Sequence, residues 1–293
     1  MRPWAARAGA RLDSRWLAGG RSRLPSTPDT RLVDLPAARV RVRVTGSGGR
    51  TLVIVPDPPN TIEHYDRLIE RLAPEFRVIC LEAPGFGFSH PKPGFRFTLD
   101  EWASTLVELF DRLEVRAATL SMSCLGAFAA LVVARRRPDQ VERLVLMQIP
   151  SADEMKRWVL REDVLGIFNT PVLGQAAVRA TRRLIARQWY RSALPPGADP
   201  EPYLRTTLRA FERGACFCLA SGFQVFRAES PDLSGVQQPA AVLWGGADGT
   251  HRDTDRRSIL THLPHARWME IDGCGHFPDL ERPDVYLDVL RAG

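Results

Sequence analysis

Asp272-Gly273-Cys274-Gly275-His276-Phe277-Pro278 follows the apolar stretch Ala266 to Ile271 and precedes Leu280-Glu281-Arg282-Pro283. A histidine set between glycines and a proline, just past a strand, is poorly placed as core filling. It is well placed as a base that reaches a group on a neighbouring loop. Two further loops of the same kind lie upstream. Trp244-Gly245-Gly246-Ala247-Asp248 ends the apolar run Ala240-Ala241-Val242-Leu243-Trp244. Leu120-Ser121-Met122-Ser123-Cys124-Leu125-Gly126-Ala127 joins the strand expected at Ala117 to Ser121 to a helix expected at 126–136.

The rest of the chain alternates in the same way. Val40, Val42 and Val44 alternate with Arg41, Arg43 and Thr45, which predicts a half-buried strand with its polar residues outward. Leu52-Val53-Ile54-Val55 and Arg77-Val78-Ile79-Cys80-Leu81 read as strands covered on both faces. A helical stretch is expected near 61–72. Thr98 with Glu101 reads as a capping box before Trp102, Leu106, Leu109, Phe110 and Leu113, which share a helical face. Leu144-Val145-Leu146-Met147 is a strand, a helix is expected near 253–263, and a last helix starts at Pro283. Alternating strands and helices predict an α/β protein with a mostly parallel sheet. Residues 152–235 break the rhythm, with helical stretches, no convincing strand and a break at Pro195-Pro196-Gly197. The economical organisation is a core of 31–151 and 236–293, an all-helical cap insertion at 152–235, and an Arg-rich tail at 1–30.

The chain order of turn nucleophile, acid and histidine resembles the α/β-hydrolase fold superfamily, in its cap-bearing branch, from about residue 32 to 290. Gly85-Phe86-Gly87-Phe88-Ser89 is similar to that superfamily's loop after the third core strand. The resemblance implies His276 as general base and Asp248 as the acid that orients it, with Asp253 and Asp255 as nearby substitutes. It implies no cofactor and no metal.

The elbow departs from the family pattern. The pattern has small residues two before and two and three after the nucleophile, in a strained turn. With Ser123 as nucleophile, Leu125 takes a crowded position. With Cys124, Gly126 and Ala127 fit and Met122 is large, which the dehalogenase branch tolerates. The family's usual segment start, eleven residues upstream, falls at Leu113-Glu114-Val115 for Cys124, and Pro138 lies at the common helix-end distance. Cys124 is therefore the expected nucleophile and Ser123 the alternative. A cysteine at a helix N-terminus beside His276 is expected to have a lowered pKa. The dienelactone hydrolases and some thioesterases of this superfamily use such a Cys-His-Asp set. Dehalogenases and epoxide hydrolases use an aspartate at the elbow, and no Asp lies between Asp111 and Asp139 here.

The loop Val55-Pro56-Asp57-Pro58-Pro59-Asn60 stands where the family carries His-Gly-X, whose X supplies one N–H of the oxyanion hole. Pro58 falls at X and has no N–H. Leu125 N–H remains, Asn60 is a nearby replacement donor, and an ionised Asp57 would repel an oxyanion.

Composition narrows the partners. The 293 residues carry a net charge of +6, with 40 Lys and Arg, all arginine except Lys92 and Lys156. That bias reads as the codon usage of a GC-rich genome. Residues 1–30 hold six arginines against Asp13 and Asp29, leaving the body nearly neutral, which argues against nucleic-acid binding. The start has a vague likeness to a transit peptide but reads better as a loose or weakly docked tail. No apolar run spans a membrane. Cys80, Cys124, Cys216, Cys218 and Cys274 are odd in number and scattered, so a reducing cytoplasm is expected. Arg179, Arg182, Arg183, Arg187 and Arg191 on one helical face read as a solvated surface, or else as a dock for an anionic partner such as an acyl carrier protein. Trp158, Phe168, Trp189, Tyr190, Phe217, Phe223 and Phe226 either pack the cap or line a pocket for an apolar or aromatic small molecule.

Three readings follow. The leading one is hydrolysis or transfer of an acyl group of an ester, thioester or lactone through Cys124, His276 and Asp248. The second is lyase, cyclase or isomerase chemistry by His276, with Asp57. The third is a ligand-binding protein without turnover.

Overall fold

The computed structural model describes residues 3–18 and 22–292. In chain order it runs α1 (Pro3–Ala18), β1 (Thr30–Asp34), β2 (Ala38–Thr45), β3 (Arg50–Val55), a 3₁₀ turn (Ile62–Tyr65), α2 (Asp66–Leu72) and β4 (Phe76–Leu81). Two short strands, β5 (Phe86–Gly87) and β6 (His90–Pro91), lead to α3 (Leu99–Arg112), β7 (Ala118–Ser123), α4 (Cys124–Arg136) and β8 (Val141–Met147). Then come α5 (Ala152–Glu162), α6 (Leu173–Ala193), α7 (Glu201–Glu212), β9 (Cys216–Phe217) and α8 (Leu219–Ala228). The chain ends with β10 (Ala240–Gly245), a 3₁₀ turn (Ser258–Thr261), β11 (Arg267–Ile271), α9 (Pro278–Glu281) and α10 (Pro283–Arg291).

The expected mostly parallel sheet is present. Its order among the described residues is β1-β2-β4-β3-β7-β8-β10-β11, with β6 beside β2. The strands from β4 through β11 in that order pair in parallel, and β2 runs antiparallel to β1, β4 and β6. The continuous apolar run at 52–55 is explained by its two faces. Val53 and Val55 enter the core layer of α3 and α4, while Leu52 and Ile54 enter the layer of α2 and α10. The loops leaving β3, β7, β10 and β11 all emerge at the carboxyl edge of the sheet, where α/β sheets bind ligands. They carry Asp57, Cys124, Asp248 and His276.

Four expectations are corrected. Residues 3–18 of the presumed tail form α1, which packs on α8 with Ala6, Ala10, Asp13 and Ser14 buried. Ser221 Oγ donates to Asp13 Oδ2 at 2.7 Å, a polar anchor for the helix. The remainder of the tail that the structure describes includes Arg23, whose N–H donates to Arg213 O at 2.8 Å. Second, neither Arg41 nor Arg43 is an outward residue of β2: Arg43 is buried and pairs with Asp66 at 2.7 Å, and Arg41 is deeper still. It is 1% exposed and pairs with Glu63 and Glu82, so its alternation signal was overridden by two carboxylates far away in sequence. Third, 253–263 is not an α-helix. Asp255 accepts from Arg257 N–H and from Ser258 Oγ through its side chain and carbonyl, and such local bonds compete with helix. Fourth, the 152–235 segment contains a strand, β9, which pairs antiparallel with β5.

The Thr98 cap forms, accepting from Glu101 N–H at 3.1 Å. The return half of the box does not, because the Glu101 carboxylate takes Arg96 N–H instead.

Candidate active site

Asp248 and His276 are brought together by glycine-dependent contact between their loops. A Cβ at Gly245 would lie 1.7 Å from Gly275 O, and one at Gly275 would lie 2.2 Å from Ala193 O. Only glycine permits approach this close. Backbone bonds then lock the three segments: Ala247 N–H donates to Cys274 O at 2.8 Å, His276 N–H to Ala193 O at 2.8 Å, and Gly249 N–H to Ser192 O at 3.0 Å. Glu281 explains its place in the Leu280-Glu281-Arg282-Pro283 run. Its carboxylate accepts from Gly275 N–H at 2.7 Å and Phe277 N–H at 2.9 Å, fixing both flanks of His276.

His276 is fully buried. Its Nδ1 lies 2.6 Å from Asp248 Oδ2 and its Nε2 lies 3.1 Å from Asp57 Oδ2. Asp248 also accepts from Thr250 N–H at 2.9 Å, from Thr250 Oγ at 2.7 Å, and from Gln148 Nε2. Burial opposes the Asp248 charge, yet the adjacent His276 and these donors hold its carboxyl well below the usual range. Burial likewise opposes a charged His276, and the Asp248 and Asp57 carboxylates outweigh it, raising the imidazole well above its ordinary value. Asp253 and Asp255 are exposed, so neither replaces Asp248.

Cys124 opens α4 with φ 51°, a left-handed backbone that non-glycine residues rarely adopt. Ser123 is ordinary extended backbone, φ −119° and ψ 157°, at the end of β7. The sharp strand-to-helix turn is therefore made at 124. Both residues and Leu125 line one cavity with Asp57 and Pro58. The lowered thiol pKa expected from the sequence is corrected. Burial, then the Asp57 charge, pushes the Cys124 thiol up to about 11, and His276 offsets only part of this. The reason expected for Gly126 is also corrected. A Cβ there meets nothing within 4 Å, so its smallness leaves room in the cavity it lines rather than relieving backbone crowding.

Asn60 does not line the cavity. Its Oδ1 accepts from Tyr190 OH at 2.8 Å, inside a buried group with Thr207 and His64. It is thus no replacement oxyanion donor in this geometry. Asp57 and Pro58 do face the cavity, as the sequence register places them.

The cavity has a volume of about 370 Å³. Five of the seven aromatics singled out from the sequence (Trp158, Phe168, Trp189, Phe217 and Phe223) line it, whereas Tyr190 and Phe226 pack. Phe86, Trp102, Leu106 and Leu109 also line it. The arginines of α6 are partly occupied. Arg179 stacks on Trp16 at 4.4 Å, Arg182 donates to Phe211 O and Ala215 O, and Arg183 lies 3.7 Å from Glu212.

Two residues near the site were missed in the sequence. Gln148, with φ 47°, bridges Asp248 and Gly245 N–H just past β8. His251 stacks between Trp158 at 4.9 Å and His276 at 5.4 Å, and burial pushes its imidazole down to about 3. Cys124, His251 and His276 each place a possible ligand atom within 4.8 Å of the others. A soft cation taking His276 Nε2 there would have to displace the Asp57 contact.

A sharp strand-to-helix turn followed by an acid and a histidine, all at the carboxyl edge of a mostly parallel sheet, defines the α/β hydrolase class. The chain belongs to the alpha/beta hydrolase family, whose sequence pattern matches residues 46–289. Similar proteins include a pimeloyl-[acyl-carrier protein] methyl ester esterase of Nitrosomonas europaea, 24% identical over 87% of this chain and 99% of that protein. A haloalkane dehalogenase of Agrobacterium fabrum is 27% identical over 88% and 90%. Among solved structures, Cfl2 of Burkholderia cenocepacia superposes with a TM-score of 0.71 at 21% identity, covering 90% of this chain and 94% of that one. Epoxide hydrolase CorEH also gives 0.71, at 19% identity, covering 89% and 96%. These two show the shared fold. No helix among the described residues is long and apolar enough to cross a membrane.

Proposed function

We propose that the protein hydrolyses or transfers an acyl group of an ester, thioester or lactone through Cys124, His276 and Asp248. The observation that carries this reading is Cys124 at φ 51°, facing the same cavity as the groups around His276. The esterase and dehalogenase relatives support hydrolytic chemistry, and the absence of an elbow aspartate argues against an alkyl-ester intermediate.

The proton inventory gives Asp57 a role. His276 Nε2 and Asp57 Oδ2 are 3.1 Å apart, a separation across which one proton is shared in this reading. The reading requires that proton to pass from the imidazole to Asp57 when substrate binds, which leaves Nε2 free to take the Cys124 thiol proton as Sγ bonds to the carbonyl carbon. The carbonyl electron pair moves onto oxygen. In this reading the O–H that Asp57 gains serves the developing oxyanion together with Leu125 N–H, in place of the N–H that Pro58 lacks. The imidazolium, stabilised by Asp248, protonates the departing alcohol or thiol as the C–O or C–S bond breaks. Water, deprotonated by His276, attacks the acyl-Cys124 thioester; the acid leaves and the thiol regains its proton.

The test is turnover of a panel of aryl esters, alkyl thioesters and lactones, with intact-mass detection of an acyl adduct. The expected result is an adduct confined to Cys124 and loss of turnover by ~10³-fold or more in Cys124→Ala. The 3.1 Å contact of Asp57 with His276 favours a second reading, acid/base lyase or isomerase chemistry without covalent attack. Activity that survives Cys124→Ala but not His276→Ala would establish that reading and sink the first.

A further inference from the structure

The cavity walls carry acid and no base. Asp57 and Glu162 line it, and no Arg, Lys or His does among the described residues, in a chain with 40 Lys and Arg. Glu162 is the last residue of α5, where the helix dipole already disfavours an anion. Its carboxylate makes no hydrogen bond or ion pair with any described residue, unlike Asp57 and Asp248, which share His276. Burial, then the charge of Asp248, pushes the Glu162 carboxyl up to about 7, and the charges of His276 and Arg161, neither of them in contact with it, offset only part of this. The rest of the lining is largely apolar, with Phe86, Trp102, Leu106 and Leu109 among it.

We propose that the cavity selects a molecule with an apolar body that carries an ammonium group, received by Glu162, and rejects molecules with a free carboxylate. This specificity rests on reading the cavity as the substrate site, but not on covalent attack by Cys124. An ammonium gains from the unpartnered Glu162 and the neighbouring carboxylates at little desolvation cost to the protein, since no existing pair is broken. A carboxylate meets the like charge of Glu162 and no cationic side chain in the cavity lining. A neutral analogue falls between them.

The experiment is calorimetric titration of the full chain with three probes that share one body: 4-phenylbutylamine, 4-phenylbutan-1-ol and 4-phenylbutyrate, at one mildly alkaline pH. The amine is expected to bind about tenfold or more tighter than the butyrate, with the alcohol between. Glu162→Gln is expected to reduce the amine's advantage over the alcohol to about threefold or less, with alcohol affinity unchanged. Butyrate binding as tightly as the amine overturns the proposal. So does an amine preference that persists in Glu162→Gln, or binding of none of the three. The same titrations on Cys124→Ala separate the two proposals, because the order of affinities must hold there even if Cys124 carries no acyl group.

Discussion

Around His276 nearly every backbone group is pinned, while around Cys124 the wall is open. On the base side, Gly245 and Gly275 permit contacts that any Cβ would block, Glu281 holds the loop at two N–H groups, and Gln148 and Thr250 fix Asp248. On the other side, Gly126 faces empty space and Pro58 offers no N–H. There, Asp57 reaches across to the His276 imidazole. The half that holds His276 and Asp248 follows the superfamily's sequence pattern, and the half that holds Cys124 and Pro58 departs from it.

The comparison breaks most sharply at His276. His276→Ala is expected to reduce kcat by ~10⁴-fold or more, because it removes the base and strands two carboxylates. Adding Cys124→Ala to it should cost little further, as residues that act as a unit are not additive. Steady-state rates of the two single variants and the double variant check this. Near-additive losses would mean that the two residues serve separate steps.

Asp57→Asn decides what the rebuilt half does. If Asp57 supplies the second oxyanion donor and parks the shared proton, the variant loses ~10²–10³-fold in kcat at nearly constant KM. If Asp57 only repels the oxyanion, the variant becomes faster. The sign of the change is read from single-turnover rates on the best ester of the panel.

Gln148→Leu probes the pinned half more gently. It removes one donor to Asp248 and leaves the buried Gly245 N–H without its 2.7 Å acceptor. A stability loss of about 1–3 kcal/mol is expected for the orphaned N–H. The expected rate loss is ~10–100-fold, from a less firmly oriented Asp248. Urea unfolding and kcat measured on the same sample separate these effects. Full activity with reduced stability would show that Thr250 alone orients the acid.

Much of this was legible in the sequence. Alternation of strands and helices gave the parallel sheet, and the three post-strand loops gave Cys124, Asp248 and His276 at one edge. What escaped depends on long-range contacts. Gln148 carries no local signal, since its partners Asp248 and Gly245 lie about a hundred residues away. Arg41 obeys a strict outward alternation that only Glu63 and Glu82 reverse. The helix at 3–18 looked like a charged tail because its buried face is small residues, Ala6, Ala10 and Ser14, rather than a bulky apolar stripe. Asp57 was visible as an odd residue in the oxyanion loop, but its contact with His276 is a matter of folded distance.

The smallest expected effect lies in the Cys124 thiol itself. Helix N-terminus and histidine both favour a thiolate, yet burial and the Asp57 charge win and set the thiol near 11. A negative neighbour disfavours the anion, so removing it must move the titration down, never up. In the unliganded protein, Cys124 alkylation by iodoacetamide should therefore rise about tenfold per pH unit through neutrality, without a plateau. In Asp57→Asn the whole curve should shift to lower pH by ~1 unit, giving about tenfold faster alkylation at a fixed neutral pH. Mass spectrometry that follows Cys124 against the buried Cys80 as internal reference measures both curves. A neutral-pH plateau in the wild type would show a resting thiolate paired with His276. His276 would then already hold the thiol proton before attack, and Asp57 would be a bystander rather than the second donor.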